Sequence, residues 1–236
     1  MGLAKARRLA PPVASLGHTA ALVGVMLAVA ITGTLLQRVG RPPAVTAVHA
    51  TSATARIFGQ YLPLLLVNGL LVLYVARLFR PRNVLRELIG RPWQSVADVL
   101  GDLLFASLAF ALILAVEALT RPLFTGRNAA VSALLPSTEA ERLTWLLVAS
   151  GVGFCEEVVY RGYLQFQLSA FTGRPLLGLL LQAVLFGLAH LEQGPAAGLR
   201  IGVYGLVFGA LATHRDSLLP GIVCHVGIDL AGGLLA

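Results

Sequence analysis

Three short stretches of this chain hold side chains that can move protons. They read Glu156-Glu157-Val158-Val159-Tyr160-Arg161, Phe186-Gly187-Leu188-Ala189-His190 and His225-Val226-Gly227-Ile228-Asp229. Each sits in an otherwise apolar run. An ionisable side chain at a bilayer centre costs about 2.5–3.5 kcal/mol on insertion scales, so such residues face a protein interior or a wet cavity. On a helix, Glu157 and Arg161 are i,i+4 neighbours in the favoured order. Adjacent helical residues project about 100° apart. Glu156 therefore points away from the Glu157–Arg161 pair and is free to meet another helix. His225 and Asp229 share one helix face by the same i,i+4 spacing. Three helices can thus converge on a Glu/His/His/Asp cluster.

A carboxylate flanked by imidazoles can take a proton from water and deliver it to a leaving amine. Two histidines with carboxylates also suit a zinc site with an open position for water, with Glu156, His190, His225 and Asp229 as ligands. Either arrangement hydrolyses a peptide bond by activated water, and the residues alone leave the choice open. The HExxH pattern of soluble metalloproteases is absent. Each stretch also has a plainer reading. Glu157–Arg161 makes a structural ion pair, His190 a loop-facing imidazole at a helix end, and intramembrane acids serve proton relays. The ordered set on separate membrane helices outweighs these single readings. Cys155 and Cys224 precede Glu156 and His225. Neighbouring helical residues diverge, so neither makes a dyad with its neighbour, and both read as packing residues.

The elements that must position these groups follow from composition. The 236 residues are 57% hydrophobic and 12% charged, with mean hydropathy +0.80. A soluble domain carries about 25% charged residues. The formal charge is +7, and Lys5 is the single lysine. The arginines lie between apolar runs rather than in one patch, which argues for lipid headgroups and against nucleic acid. Seven runs, at about 17–36, 57–79, 96–119, 143–168, 175–190, 196–214 and 218–234, have helical length and no strand alternation. The expected fold is all-α: a polytopic membrane protein with about seven transmembrane helices, six to eight being compatible.

The first run exceeds the length of a signal-peptide core and reads as an uncleaved helix. Pro63 falls in the first turns of the second run, where proline is tolerated. The stretch 120–142 is the longest polar connection. It divides one membrane domain into N-terminal helices and loops, 1–142, and a helical catalytic core, 143–236. Lys5, Arg7, Arg8, Arg77, Arg80, Arg82, Arg86, Arg91, Arg174 and Arg215 outnumber Arg38, Arg41, Arg56, Arg121, Arg127 and Arg142 on the opposite side. That bias sets the N-terminus inside. Gly198/Gly202 and Gly205/Gly209 give two GxxxG spacings for close helix approach. Asp98 and Asp102 are expected at the interface or on loop arginines, and Glu117 at headgroup level. His18, His49 and His214 read as interfacial, and Glu192 as a gate residue in a short loop.

In its three motifs the sequence resembles the CPBP family of intramembrane proteases. That family includes the CAAX-processing Ras-converting enzyme and bacterial Abi-type proteins linked to bacteriocin processing and self-immunity. Its series EExxxR, FxxxH and HxxxN or a close variant reads here as Glu156-Glu157 with Arg161, Phe186 with His190, and His225 with Asp229. The resemblance covers about residues 143–234 and does not reach the preceding helices. It implies a polytopic helical fold with the site inside the membrane, and an endopeptidase acting on membrane-anchored or transmembrane peptides. It implies Glu156 as general base and His190 as the residue that orients the water or binds a metal. His225 and residue 229 would position or stabilise the oxyanion, and Glu157 would support the site through Arg161. Zinc is the cofactor implied by the usual metalloprotease label, and a metal-free glutamate mechanism uses the same residues. The expected location is the bacterial cytoplasmic membrane. One position departs from the pattern. Asn can donate to an oxyanion and ionised Asp cannot, so Asp229 is left to bind metal, orient His225, or donate when protonated. A competing class is a non-proteolytic immunity or scaffold protein that binds a peptide partner. A third, a proton-coupled transporter, lacks the expected inverted repeat.

Overall fold

The computed structural model of the chain describes residues 11–39, 52–78, 84–123, 132 and 134–235. Among them the apolar runs are helical and no strand forms; one isolated bridge joins Gly90 and Ser217. The helices are α1 Leu16–Val39, α2 Ala53–Leu78, the short α3 Val84–Ile89, α4 Val96–Thr120, α5 Glu139–Thr172, α6 Pro175–Ala189, α7 Pro195–Arg215 and α8 Leu219–Leu234. Five of them, α1, α2, α4, α5 and α7, are long and apolar enough to cross a membrane, while α6 and α8 are shorter at 15 and 16 residues. The protein is an all-α polytopic membrane protein.

Local chemistry sets the helix ends. The Ser95 side chain accepts the Asp98 amide at the start of α4. Thr138 and Glu141 form a reciprocal capping box at the start of α5. Pro175, Pro195 and Pro220 occupy first-turn positions, where the missing N–H costs nothing. Gly194, at φ 99°, makes the reversal between α6 and α7 that a side chain would strain.

Helix α5 is the centre of the bundle. Its first half lies between α8 and α2, and its last turns pack on α6. Helix α7 packs along α6 and also meets α4 and α8. Helix α1 rests on α6 and on the turn Leu191–Gln193. A buried Gln167 on α5 fastens the start of α1. The Gln167 amide donates to Ala14 O and Thr19 Oγ1, and accepts from the Val13 amide at 2.7 Å. The glycines of α7 allow the approach their spacing suggests. A Cβ at Gly198 would lie 2.9 Å from Gly187 O, and one at Gly205 3.0 Å from Ala183 Cα.

Some sequence expectations change. The second helix begins at Ala53, so Pro63 is well inside it. A π-helical turn, Ile57–Tyr61, ends two residues before the proline and takes up the irregularity. Arg56, expected in an outer loop, is buried in that helix and paired with Glu141 at 3.4 Å. The 142/143 division falls inside the first turns of α5. Asp98 and Asp102 do meet the arginines expected of loops: Asp98 pairs with Arg91, and Asp102 with Arg215 at 2.7 Å and with Trp93 Nε1 at 2.8 Å. Glu117 accepts from Arg200 at 2.9 Å and from Tyr204 at 2.6 Å. Lys5, Arg7, Arg8, Arg41, His49, Arg80, Arg82 and Arg127, which bear on orientation, lie outside the described residues, as do the side chains of Arg38 and Arg86.

Candidate active site

The first motif lies where α5 changes its winding. From Glu157 to Leu164 the helix is π-helical, and the Gln165 amide reaches Tyr160 O. Such wide turns recur at functional sites because they re-aim side chains within a helix. Glu157 and Arg161 are both buried, with Arg161 Nη1 donating to Glu157 Oε1 at 2.9 Å. The same carboxylate oxygen meets His225 Nδ1 at 2.9 Å. Glu157 is therefore held by α5 and α8 together. Its other oxygen, Oε2, sits where a side chain on residue 221 would intrude: a Cβ at Gly221 would lie 2.9 Å from it. The Arg161 guanidinium lies 4.2 Å from the Phe186 ring centroid and 5.0 Å from that of Phe208. These cation–π contacts help a charge that has left water.

Glu156 faces the other way, into a cavity of about 370 Å³. Its Oε2 stands 3.6 Å from His225 Nε2 and 3.9 Å from His190 Nε2. Those distances are too long for direct hydrogen bonds and leave room for a water touching all three. His190 ends α6, and its Nδ1 lies 2.7 Å from Phe186 O. A carbonyl can only accept, so the Nδ1 bears the proton there and the neutral ring offers Nε2 as an acceptor. His225 is held by Glu157 on one nitrogen and stacks on Phe208 at 5.0 Å and 11°. Asp229, one turn along α8, approaches His225 Nε2 at 3.8 Å, and its carbonyl accepts from Trp145 Nε1 at 2.9 Å.

All six residues singled out in the sequence thus lie in one connected group drawn from α5, α6 and α8. Phe208, Gly221, Trp145 and Asn68, which shape or line this centre, carry no sequence signal that separates them from packing residues in apolar helices. Asn68, with Val25, Val29, Leu64 and Val67, places α1 and α2 in the cavity wall. Glu192 also lines the cavity; burial pushes its carboxyl up, and the neighbouring His190 opposes that shift. Cys155 and Cys224 are buried, as packing residues would be.

The donor set can be tested against zinc. Ligands about 2.0–2.2 Å from a tetrahedral zinc stand about 3.3–3.6 Å apart. The contacts linking the four expected ligands, at 3.6, 3.8 and 3.9 Å, sit at or beyond that range. Among the described residues, no group of three or more His, Cys, Asp or Glu is arranged to hold a metal ion. The residues as they stand are spaced slightly wider than a closed zinc site, and no step below passes through a metal.

Fold and site together define a class: a helical membrane protein with carboxylates and imidazoles gathered in an internal cavity. Residues 138–231 match the family model described as Rce1-like, type II CAAX prenyl endopeptidase Rce1-like. Over these residues the chain is similar to that family of CAAX-type intramembrane endopeptidases. The preceding residues lie outside the match. Neither the curated proteins nor the solved structures give a match.

Proposed function

We propose that the chain is an endopeptidase of membrane-anchored or transmembrane peptides, working in the bacterial cytoplasmic membrane with Glu156 as general base. The observation that carries this is the position of Glu156 Oε2, 3.6 and 3.9 Å from two imidazole nitrogens on other helices. Its neighbour Glu157 is meanwhile occupied by Arg161 and His225.

The reaction balances with these groups. Glu156 takes a proton from a water that also meets His190 Nε2. The hydroxide forms a bond to the peptide carbonyl carbon. His225, protonated on both nitrogens and held at Nδ1 by Glu157, donates its Nε2–H to the oxyanion. The Asp229 carboxylate, 3.8 Å from that edge of His225, favours the charged ring and helps keep it aligned. Glu156 then passes its proton to the amide nitrogen, the C–N bond breaks, and an acid and an amine leave. Peptides enter sideways between α1 and α2, which both wall the cavity. Zinc is not required in this scheme.

The test uses purified protein and Glu156→Gln in liposomes, with a panel of prenylated, acylated and transmembrane peptides read by mass spectrometry. Wild type should give defined products that persist after prolonged chelation. The variant should lose at least about 10²-fold in rate. Cleavage that survives in the variant overturns the general base. Loss on chelation with recovery by zinc overturns the metal-free scheme. Tight peptide capture by both proteins, with no product from either, favours the scaffold reading.

A further inference from the structure

We infer that Glu192 is a specificity-determining residue whose carboxylate pairs with a basic side chain of the bound peptide, an inference that rests on the peptide-binding cavity proposed above. Glu192 lies on the turn Leu191–Gln193, in the wall that also carries Glu156, His190, His225 and Asp229. Its stem packs on α1, with its Cβ 3.6 Å from a Cβ placed at Gly33. Its Oε1 has a long contact with Gln193 Nε2, at 3.4 Å. Its Oε2 is buried and, among the described residues, has no hydrogen-bond partner. A buried acceptor left open in this way calls for a donor that arrives with the ligand.

The charge around it says what kind of donor. The cavity wall contains Glu156, Glu192 and Asp229 and, among the described residues, no lysine or arginine. The nearby guanidinium of Arg161 is engaged by Glu157. Even with His225 protonated the three acids outnumber that cation, and a low-dielectric cleft with an excess of one sign of charge concentrates the opposite sign. A peptide amide would satisfy the oxygen and leave that excess of negative charge unanswered. An arginine or lysine side chain supplies both the N–H donors and the positive charge. Glu156 and Asp229 lie against the imidazole edges of the centre, whereas Glu192 has His190 as a neighbour and keeps a buried oxygen without a hydrogen bond, so it is the carboxylate best placed for the substrate.

Binding tests this without turnover. The probes are acylated, dye-labelled peptides differing at one position, arginine or norleucine, which is moved along the sequence. They are titrated into phosphatidylcholine vesicles holding the full chain. At one position wild type should bind the arginine peptide about tenfold more tightly. Glu192→Gln, nearly the same shape, should bring the ratio close to one. Glu192→Lys should prefer a glutamate-bearing peptide instead. Glu117→Gln, which removes an acid outside the cavity wall, should leave the ratio as in wild type. Equal affinities at every position in wild type overturn the inference. So does an arginine preference that survives Glu192→Gln, or one that Glu117→Gln abolishes equally. A preference lost in Glu192→Gln, in a protein that cuts nothing, would uphold this pairing and sink the proteolytic reading.

Discussion

Glu156 and Glu157 are adjacent in the chain and have opposite company. Glu157 is buried and shares one oxygen between Arg161 and His225. Glu156 looks into the cavity toward the imidazole edges of His190 and His225. One carboxylate supports; the other is left available for water. Asp229 is the residue whose role the family pattern leaves open. It lies 3.8 Å from His225 Nε2, close enough to steer that ring without replacing its N–H. If Asp229 only aligns His225, an amide there should serve nearly as well. Asp229→Asn should keep kcat within about threefold, because the amide can also donate to an oxyanion. Asp229→Ala should lower kcat by about tenfold or more with a smaller change in KM. Steady-state rates on any peptide cleaved by wild type decide this; equal losses in both variants would mean the negative charge itself is needed.

At the scale of elements, two features place the groups. The π-helical stretch of α5 turns Glu157, Tyr160 and Arg161 inward together, all three buried. The close seam between α6 and α7 holds the His190 turn in position. A Cβ at Gly198 would meet Gly187 O and Leu191 Cδ2, each at 2.9 Å, and a carbonyl oxygen in a helix cannot step aside. Gly198→Val should therefore cost about 1–3 kcal/mol of stability. Gly24 on α1 has open space around a built Cβ. Gly24→Ala should cost no stability and can gain up to about 1 kcal/mol, alanine being the better helix former. Thermal unfolding in one detergent compares the two. A neutral Gly198→Val would show that the seam opens more easily than its geometry implies.

At the scale of the whole molecule, the cavity is closed by α5, α8 and the α6–α7 turn, and bordered by α1 and α2. These last two meet at one end, where His18 Nδ1 lies 2.8 Å from the Tyr74 hydroxyl. Beyond that contact, Val29 and Val67 are cavity-lining residues with exposed surface. They form the proposed entrance for a peptide coming from the lipid. Linking Val29→Cys to Val67→Cys with a flexible bis-maleimide should reduce cleavage of a transmembrane peptide at least about tenfold. The native Cys155 and Cys224 are buried and should not react. The unlinked double variant should keep its activity. Full activity after complete linking would move the entrance elsewhere.

The sequence by itself determined the class and the local pairs. A chain that is 57% hydrophobic, with runs of helical length, has little alternative to membrane helices. The i,i+4 spacing of Glu157 and Arg161 likewise dictates their contact, because helical periodicity is local. Other features are not local and were not legible there. The burial of Arg56 against Glu141, the π-helical winding before Pro63 and again from Glu157, and the stacking of Phe208 on His225 depend on neighbours far along the chain. Motif order suggested that three helices converge. Only the packing of α5, α6 and α8 decided which oxygen meets which nitrogen and at what distance. Periodicity orients a side chain about its own helix axis; the separation and tilt of two axes come from every side chain packed between them.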